Sequence, residues 1–295
     1  MLVKVSVLLP AYNTSNYIEE AIHSLLQQTY QDFEIIAIDD GSTDGTLDKI
    51  RAFGDSRIRV VTHPVNRGLV NTLNEGLTLS RGEYIARMDG DDICMPQRLE
   101  RQVAFMDANP HIGAAGSQAV LLGLDQVTDK PLHHEEIRCW QLFHCTLIHP
   151  TVILRRSVLE ANGIQYLFYP HAEDYEIWNR LADVTGLANL PEVLLYYRQH
   201  PGQVSNQYQG LQAQTAELIR RKQLRRLGLE PSYEEYQIHL DFCHFRIKVH
   251  DYTAYSKALA WAQKIIQANA ERHQYDPETL SMVLSRCFKM SEAFS

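Results

Sequence analysis

Long apolar runs are missing from this 295-residue chain. None approaches the ~18 residues that a membrane-spanning helix requires, which argues against an integral membrane protein. The opening Met1-Leu2-Val3-Lys4 leads into a short strand pattern without a basic segment and a long apolar core, so no signal peptide is expected. Cysteine is sparse. Cys94, Cys139, Cys145, Cys243 and Cys287 are odd in number and form no CxxC pair, which excludes a zinc ribbon and favours reduced thiols in a cytoplasmic setting. Glycines occur nowhere as GxG and never precede lysine, so neither a dinucleotide fingerprint nor a Walker A loop is present. No HExxH occurs: His134-Glu135-Glu136 continues as Ile137-Arg138. Positive charge is also short. A formal net charge of -8 provides no overall field for nucleic acid, so no nucleic-acid partner is expected.

What is present is an ordinary globular composition, 45% hydrophobic and 22% charged, long enough for one large domain or two smaller ones. Short apolar runs at Val5 to Leu9, Phe33 to Ile38, Ile58 to Val61 and Tyr84 to Met88 read as strands. Between them lie helical spacings. Tyr17, Ile18, Ala21, Ile22, Leu25 and Leu26 form one, with Asn16 and Glu19 placed as cap and reach-back partner. Leu47 and Ile50 mark a short helix, and Leu69, Leu73 and Leu77 mark another. Leu99, Val103 and Met106 follow Pro96, which stands where a first helical position would be. This β-α-β-α order predicts an α/β fold with a mostly parallel central sheet flanked by helices. From about Gln207 long helical patterns take over, over 211–227, 233–249 and 255–268. The expected division is a catalytic domain over 1–206, its acceptor side at roughly 110–206, and a helical appendage over 207–295.

In such sheets ligands bind beyond the carboxyl ends of strands, near the switch in strand order. Pro10-Ala11-Tyr12-Asn13, Asp39-Asp40-Gly41-Ser42 and Asp89-Gly90-Asp91-Asp92 all fall there. The last carries three carboxylates in four residues directly after a buried strand. Carboxylates so dense repel one another, and a hard divalent cation relieves them; a solvated acidic turn is the plainer alternative. Tyr12 is placed to stack on a base, or to be a half-buried aromatic. Ser42 or Asp44 caps the following helix, while Asp40 can still accept a base N–H.

Taken together, Val5 to Asn13, Ile38 to Asp44 and Asp89 to Asp92 resemble the family-2 glycosyltransferases of the GT-A (Rossmann-like) fold. The similarity continues through His149-Pro150-Thr151, Ala172 to Trp178 and Tyr197-Arg198-Gln199-His200, covering about residues 4–206 in the family's order. It implies transfer of a sugar from a nucleotide-diphosphate donor, a UDP-sugar foremost, to a glycan or lipid-linked acceptor with inversion at the anomeric carbon. Pro10, Ala11, Tyr12 and Asn13 would line the nucleoside site, Asp40 would accept a base N–H, and Asp89 would lie near ribose and metal. Asp91 would ligate Mg²⁺ or Mn²⁺, and Asp174 would be the general base.

The chemistry asks for the same parts. An acceptor hydroxyl loses its proton as it attacks, and the leaving diphosphate gains charge on the other side, so two separate carboxylate stations are needed. Positions 174, 177, 178 and 181 share a helical face with Ile177, Trp178 and Leu181, which draws Asp174 inward; Glu176 and Arg180 then suit the solvent side. Helix capping is the alternative role for Asp174. Arg198 and His200 follow a strand over Val193 to Tyr197 and are expected to reach the diphosphate and the metal respectively. Arg220-Arg221-Lys222, Arg225 and Arg226 make a basic patch, either a solvated face or a peripheral contact with anionic lipid at the inner face of the membrane. The QxxRW segment of processive members is absent, which points to single addition. The alternatives are a sugar nucleotidyltransferase, whose Gly-rich basic loop is missing here, and a non-catalytic nucleotide-sugar-binding module.

Overall fold

The computed structural model describes residues 3–200 and 208–293. The chain divides into two compact units. The first runs to Leu132 and resumes from Leu147 to Tyr208; the second joins His133–Thr146 to the chain from Gln209 onward.

In the first unit, strand β1 (Val5–Ala11) is buried along its whole length, as a near-continuous apolar run demands of a strand covered on both faces. It lies between β2 (Phe33–Asp39) and β4 (Tyr84–Arg87), parallel to both, and β3 (Ile58–Thr62) extends the parallel set beyond β2. The chain therefore moves outward on one side of β1 and returns on the other, which makes β1/β4 the switch point in strand order. Beyond β4 the sheet becomes mixed: β8 (Ile153–Arg155) pairs antiparallel with β4 and with β6 (Ile112–Leu122), and β6 runs parallel to β9 (Gly186–Arg198). The parallel half carries the nucleotide-type loops. The two-residue β5 (Ile93–Cys94) pairs antiparallel with the end of β9, Ile93 opposite Tyr196. That pairing fixes the acidic loop immediately before β5 beside the last residues of β9.

Helices cover the sheet much as the periodicity predicts. Helix α1 (Ile18–Leu26) buries Ile18, Ala21, Ile22 and Leu25. Its cap differs from expectation: Tyr17 holds the N-cap position, and the Thr14 carbonyl accepts from the N–H groups of Tyr17 and Ile18. Helix α2 (Thr46–Ala52) is started by Asp44, whose Oδ1 accepts from the N–H and hydroxyl of Thr46. Helix α3 (Leu69–Leu79) follows Gly68. Helix α4 (Arg98–Ala108) begins two residues after Pro96 rather than at it, because Met95 O closes a turn with the Arg98 N–H.

The contiguous division at 206/207 is interrupted. Helix α5 (His134–Trp140) and the residues after it put Trp140, Leu142 and Phe143 into one apolar core with Leu224, Tyr236, Phe242, Trp261 and Val283. The remaining helices of this unit are Gln209–Arg226, Tyr233–Cys243, Tyr252–Arg272 and Pro277–Ala293. The second stops earlier than its spacing suggests because Phe245 turns to a left-handed backbone, φ 53°. The fourth lies within the span expected to be helical, though no spacing was singled out for it. The basic patch is largely consumed here. Buried Arg220 donates to Phe143 O, Arg221 pairs with Glu217 and lies over the Tyr236 ring, and Arg225 pairs with Glu230. Among the described residues no helix is long and apolar enough to cross a membrane.

Candidate active site

The loops that leave β1, β2 and β4 are stitched to one another. The Asp40 N–H donates to Ala11 O, the Asn13 N–H to Ser42 Oγ at 3.0 Å, and the Thr43 N–H to Asn13 Oδ1 at 2.9 Å. Asn13 takes a left-handed backbone, φ 52°, which asparagine tolerates better than most residues. Two glycines permit the convergence. A Cβ on Gly41 (φ 74°) would stand 2.5 Å from the Val65 carbonyl carbon, and one on Gly90 would press on Thr14 Oγ1 and Ile18 Cδ1. Pro10 and Ala11 are buried beneath this surface, while Tyr12 presents a half-exposed ring above it.

Asp40 is buried, and its carboxylate is already in use. Oδ1 receives His63 Nδ1 at 2.6 Å and the Arg67 N–H at 2.8 Å; Oδ2 receives the Gly68 N–H at 2.9 Å. A carboxylate offers about four lone-pair sites, so three internal donors leave room for one more. Asp39 stays below, its Oδ2 receiving the Ser42 N–H.

Asp89, Asp91 and Asp92 each offer an oxygen, all within 4.8 Å of one another. Asp89 pairs with the buried guanidinium of Arg87. Burial, then the charge of Asp89, pushes the carboxyl of Asp91 up; the same causes push Asp92 well up, with Asp91 adding to them. Asp92 Oδ1 receives the Arg198 N–H at 2.8 Å, whereas its Oδ2 is buried with no hydrogen-bond donor. An orphaned buried oxygen among crowded carboxylates is what a hard divalent cation satisfies. The donor set fits Mg²⁺ or Mn²⁺.

His200 and Arg198 reach this loop by the β5/β9 pairing. His200 Nε2 stands 2.9 Å from Asp91 Oδ2, and its ring packs on Tyr17 with centroids 4.7 Å apart. Arg198 is differently employed than expected: Nε donates to Asp91 O, Nη2 pairs with Glu20, and the guanidinium lies over the Tyr17 ring. These contacts make Arg198 a clamp on the acidic loop.

The second carboxylate station opens helix α7 (Glu173–Leu181). Ile177, Trp178 and Leu181 are buried as their spacing requires, but it is Glu173 that is buried and Asp174 that is half-exposed. Glu173 stands in the first turn with His149 Nδ1 4.0 Å from its carboxylate, beyond hydrogen-bond distance. Ala172 holds the N-cap position rather than Asp174, and Asp174 Oδ1 receives the neighbouring Tyr175 N–H. Glu176 is buried too, against the solvent-side expectation, because Arg180 brings its guanidinium inward to it at 2.8 Å.

Sequence reasoning assigned no role to the residues between the two stations. His149 and Tyr166 share a 2.9 Å hydrogen bond. Burial, then Arg87, holds the imidazole well below its ordinary range, so it is neutral. Burial also pushes the Tyr166 phenol up; Arg87 opposes this while Glu173, Asp174 and Asp89 reinforce it. Tyr166 thus feels both carboxylate stations. The only signal for His149 was its place in His149-Pro150-Thr151; Arg87 and Tyr166 had none.

Burial, and then the charge of Asp174, raises the Glu173 carboxyl from 4.5 to about 7. An acid whose folded value is raised carries a folding penalty that opens above its unfolded value and is complete above its folded one. Glu173→Gln removes that penalty. Its stability relative to wild type should climb between pH 4.5 and about 7 and level off beyond. Thermal melts across that range check this; a constant difference would contradict it.

Strand-end loops meeting at a switch point, with an acidic cluster in one of them and two further carboxylates whose charge reaches the same Tyr166, give the chain the form of a GT-A glycosyltransferase. The profile of Glycosyl transferase family 2 matches residues 6–162, and the chain belongs to that family. It is 37% identical over 245 residues to an uncharacterized glycosyltransferase of Haemophilus influenzae, spanning 77% of this chain and 76% of that one. It is 31% identical over 175 residues to the Escherichia coli UDP-Glc:alpha-D-GlcNAc-diphosphoundecaprenol beta-1,3-glucosyltransferase WfgD, spanning 59% of this chain and 68% of that one. Among solved structures, S. aureus TarS 1-349 in complex with UDP-GlcNAc aligns with 99% of this chain and 91% of its own, at TM-score 0.64 and 21% identity. The likeness to TarS shows the fold. The family assignment sets aside the sugar nucleotidyltransferase alternative.

Proposed function

We propose that this glycosyltransferase moves a single sugar from a UDP-sugar to an acceptor hydroxyl by direct displacement with inversion, with Asp174 as the general base. The observation that carries this reading is the pair of carboxylate stations, Asp89/Asp91/Asp92 with His200 and Glu173/Asp174, flanking the Tyr166–His149 bond. Tyr12 stacks on the base, Asp40 accepts the base N–H with its remaining lone pair, and Pro10, Ala11 and Asn13 shape the nucleoside cleft. Asp89, Asp91 and His200, with the unsatisfied oxygen of Asp92, would hold Mg²⁺ or Mn²⁺, which when bound neutralises charge on the leaving diphosphate. Arg198 keeps the acidic loop in place rather than reaching the phosphates. Asp174, half-exposed at the start of α7, takes the acceptor proton, while buried Glu173 excludes water from its inner side.

A UDP-linked donor is supported by the UDP-Glc donor of WfgD, by the UDP-GlcNAc bound to TarS and by the lone acceptor site left on Asp40. WfgD's own acceptor is a diphosphoundecaprenol lipid, which supports a lipid-linked glycan acceptor here.

The test is a donor panel with Mn²⁺ or Mg²⁺, reading slow release of nucleoside diphosphate to water. UDP-sugars should turn over, and CDP-sugars at least about tenfold less, because cytosine presents an acceptor where Asp40 needs a donor. Absence of any nucleotide binding with metal present would overturn the proposal.

A further inference from the structure

His63 sits at the end of β3, its side chain 4% exposed, with a carboxylate on each ring nitrogen. Asp40 Oδ1 is 2.6 Å from Nδ1 and Glu75 Oε2 is 2.8 Å from Nε2. A neutral imidazole carries one N–H and one lone pair, so one of these short contacts would set a lone pair against a carboxylate oxygen. Only the doubly protonated ring donates to both. We propose that a cationic His63, held between Asp40 and Glu75, is the positioning residue of the nucleobase subsite: it keeps Asp40 ionised and unrotated, so that one lone pair remains aimed at a base N–H. The inference rests on reading Asp40 as the nucleobase acceptor.

Charged groups face the ring from each element packed against it. Asp40 comes from the loop after β2 and Glu75 from α3. Arg67, on the loop between β3 and α3, places Nη1 3.0 Å from Glu75 Oε2 and 3.4 Å from His63 Nε2, where its charge opposes the cationic ring that the two carboxylates favour. Arg67 and Gly68 donate their backbone N–H groups to the two Asp40 oxygens, so the orientation His63 sets is shared with the loop entering α3. Burial alone would favour the neutral ring, but the hydrogen bonds the ring donates to both carboxylates outweigh it and raise the basicity of His63. The sign follows. The charged clamp is complete below the ordinary histidine value of 6.5 and is lost as pH climbs through the raised folded value.

The measurement is affinity for UDP with Mn²⁺ between roughly pH 6 and 9, on wild type, Asp40→Asn, His63→Gln and Glu75→Gln, each first shown folded by its thermal transition. Wild type should bind progressively more weakly at the alkaline end. His63→Gln should bind about tenfold more weakly at the acid end and lose that slope. The ratio of the two proteins at each pH removes the titration of the phosphate and the metal site. Glu75→Gln, which removes one of the carboxylates that make the ring basic, should move the wild-type slope to lower pH. If His63→Gln binds with wild-type affinity and slope, the inference is overturned while the nucleotide site stands. Should His63→Gln not fold, an unmoved slope in Glu75→Gln overturns it equally. If Asp40→Asn binds UDP as tightly as wild type, the nucleobase reading beneath it fails as well.

Discussion

Asp174→Asn should lower turnover on the true acceptor by about 10³-fold while leaving UDP affinity within roughly twofold of wild type. The replacement keeps shape and the hydrogen bond from the Tyr175 N–H, but an amide takes no proton. The loss therefore falls on kcat and spares nucleotide binding, because the donor-side loops of β1, β2 and β4 are held by bonds that do not involve α7. Glu173 is the obvious substitute base. It is poorly placed for the task, buried against His149 with its carboxyl raised to about 7. Glu173→Gln should consequently cost far less turnover than Asp174→Asn. Equal losses, or full activity in Asp174→Asn, would remove the base assignment.

Asp91→Asn should have opposite effects on stability and activity. Without divalent metal, Asp91 is crowded by Asp89 and desolvated, so the amide relieves repulsion and the variant should melt at a higher temperature than wild type. With Mn²⁺ added, wild type should gain stability by mass action and the variant much less. Turnover should fall by about 10³-fold, the order expected when several kcal/mol of charge stabilisation on the leaving group is lost. The loop itself should survive, since Arg198 holds it through the Asp91 carbonyl and Asp92, neither of which the substitution touches. A variant destabilised in the absence of metal would mean that Asp91 serves the fold instead.

Much of this architecture was legible in the chain. Three strands of the parallel half are largely apolar runs that end in a polar loop, so Val5–Ala11, Phe33–Asp39 and Tyr84–Arg87 announce both their burial and the edge where ligands bind. The acidic triplet stood out for the same reason. What remained hidden depends on distant partners. Arg198 looked like a phosphate ligand until β5/β9 pairing brought Glu20 and the Asp91 carbonyl to it. Helical spacing placed Asp174 on the apolar face, but a first-turn residue answers to what lies before the helix, and it is Glu173 that is buried. The basic run 220–226 read as a surface patch, yet Arg220 is spent on a carbonyl of a segment some 77 residues earlier. No local pattern reports that residues 133–146 leave the sheet unit for the helical core.

The central claim is a metal-dependent nucleoside-diphosphate site at the ends of β1, β2 and β4. Calorimetric titration of UDP into the protein, with Mn²⁺ and then with a chelator, tests it most directly. Saturable binding with Mn²⁺ that weakens at least about tenfold on chelation is the predicted result. No binding in either condition, or binding indifferent to the metal, would contradict it.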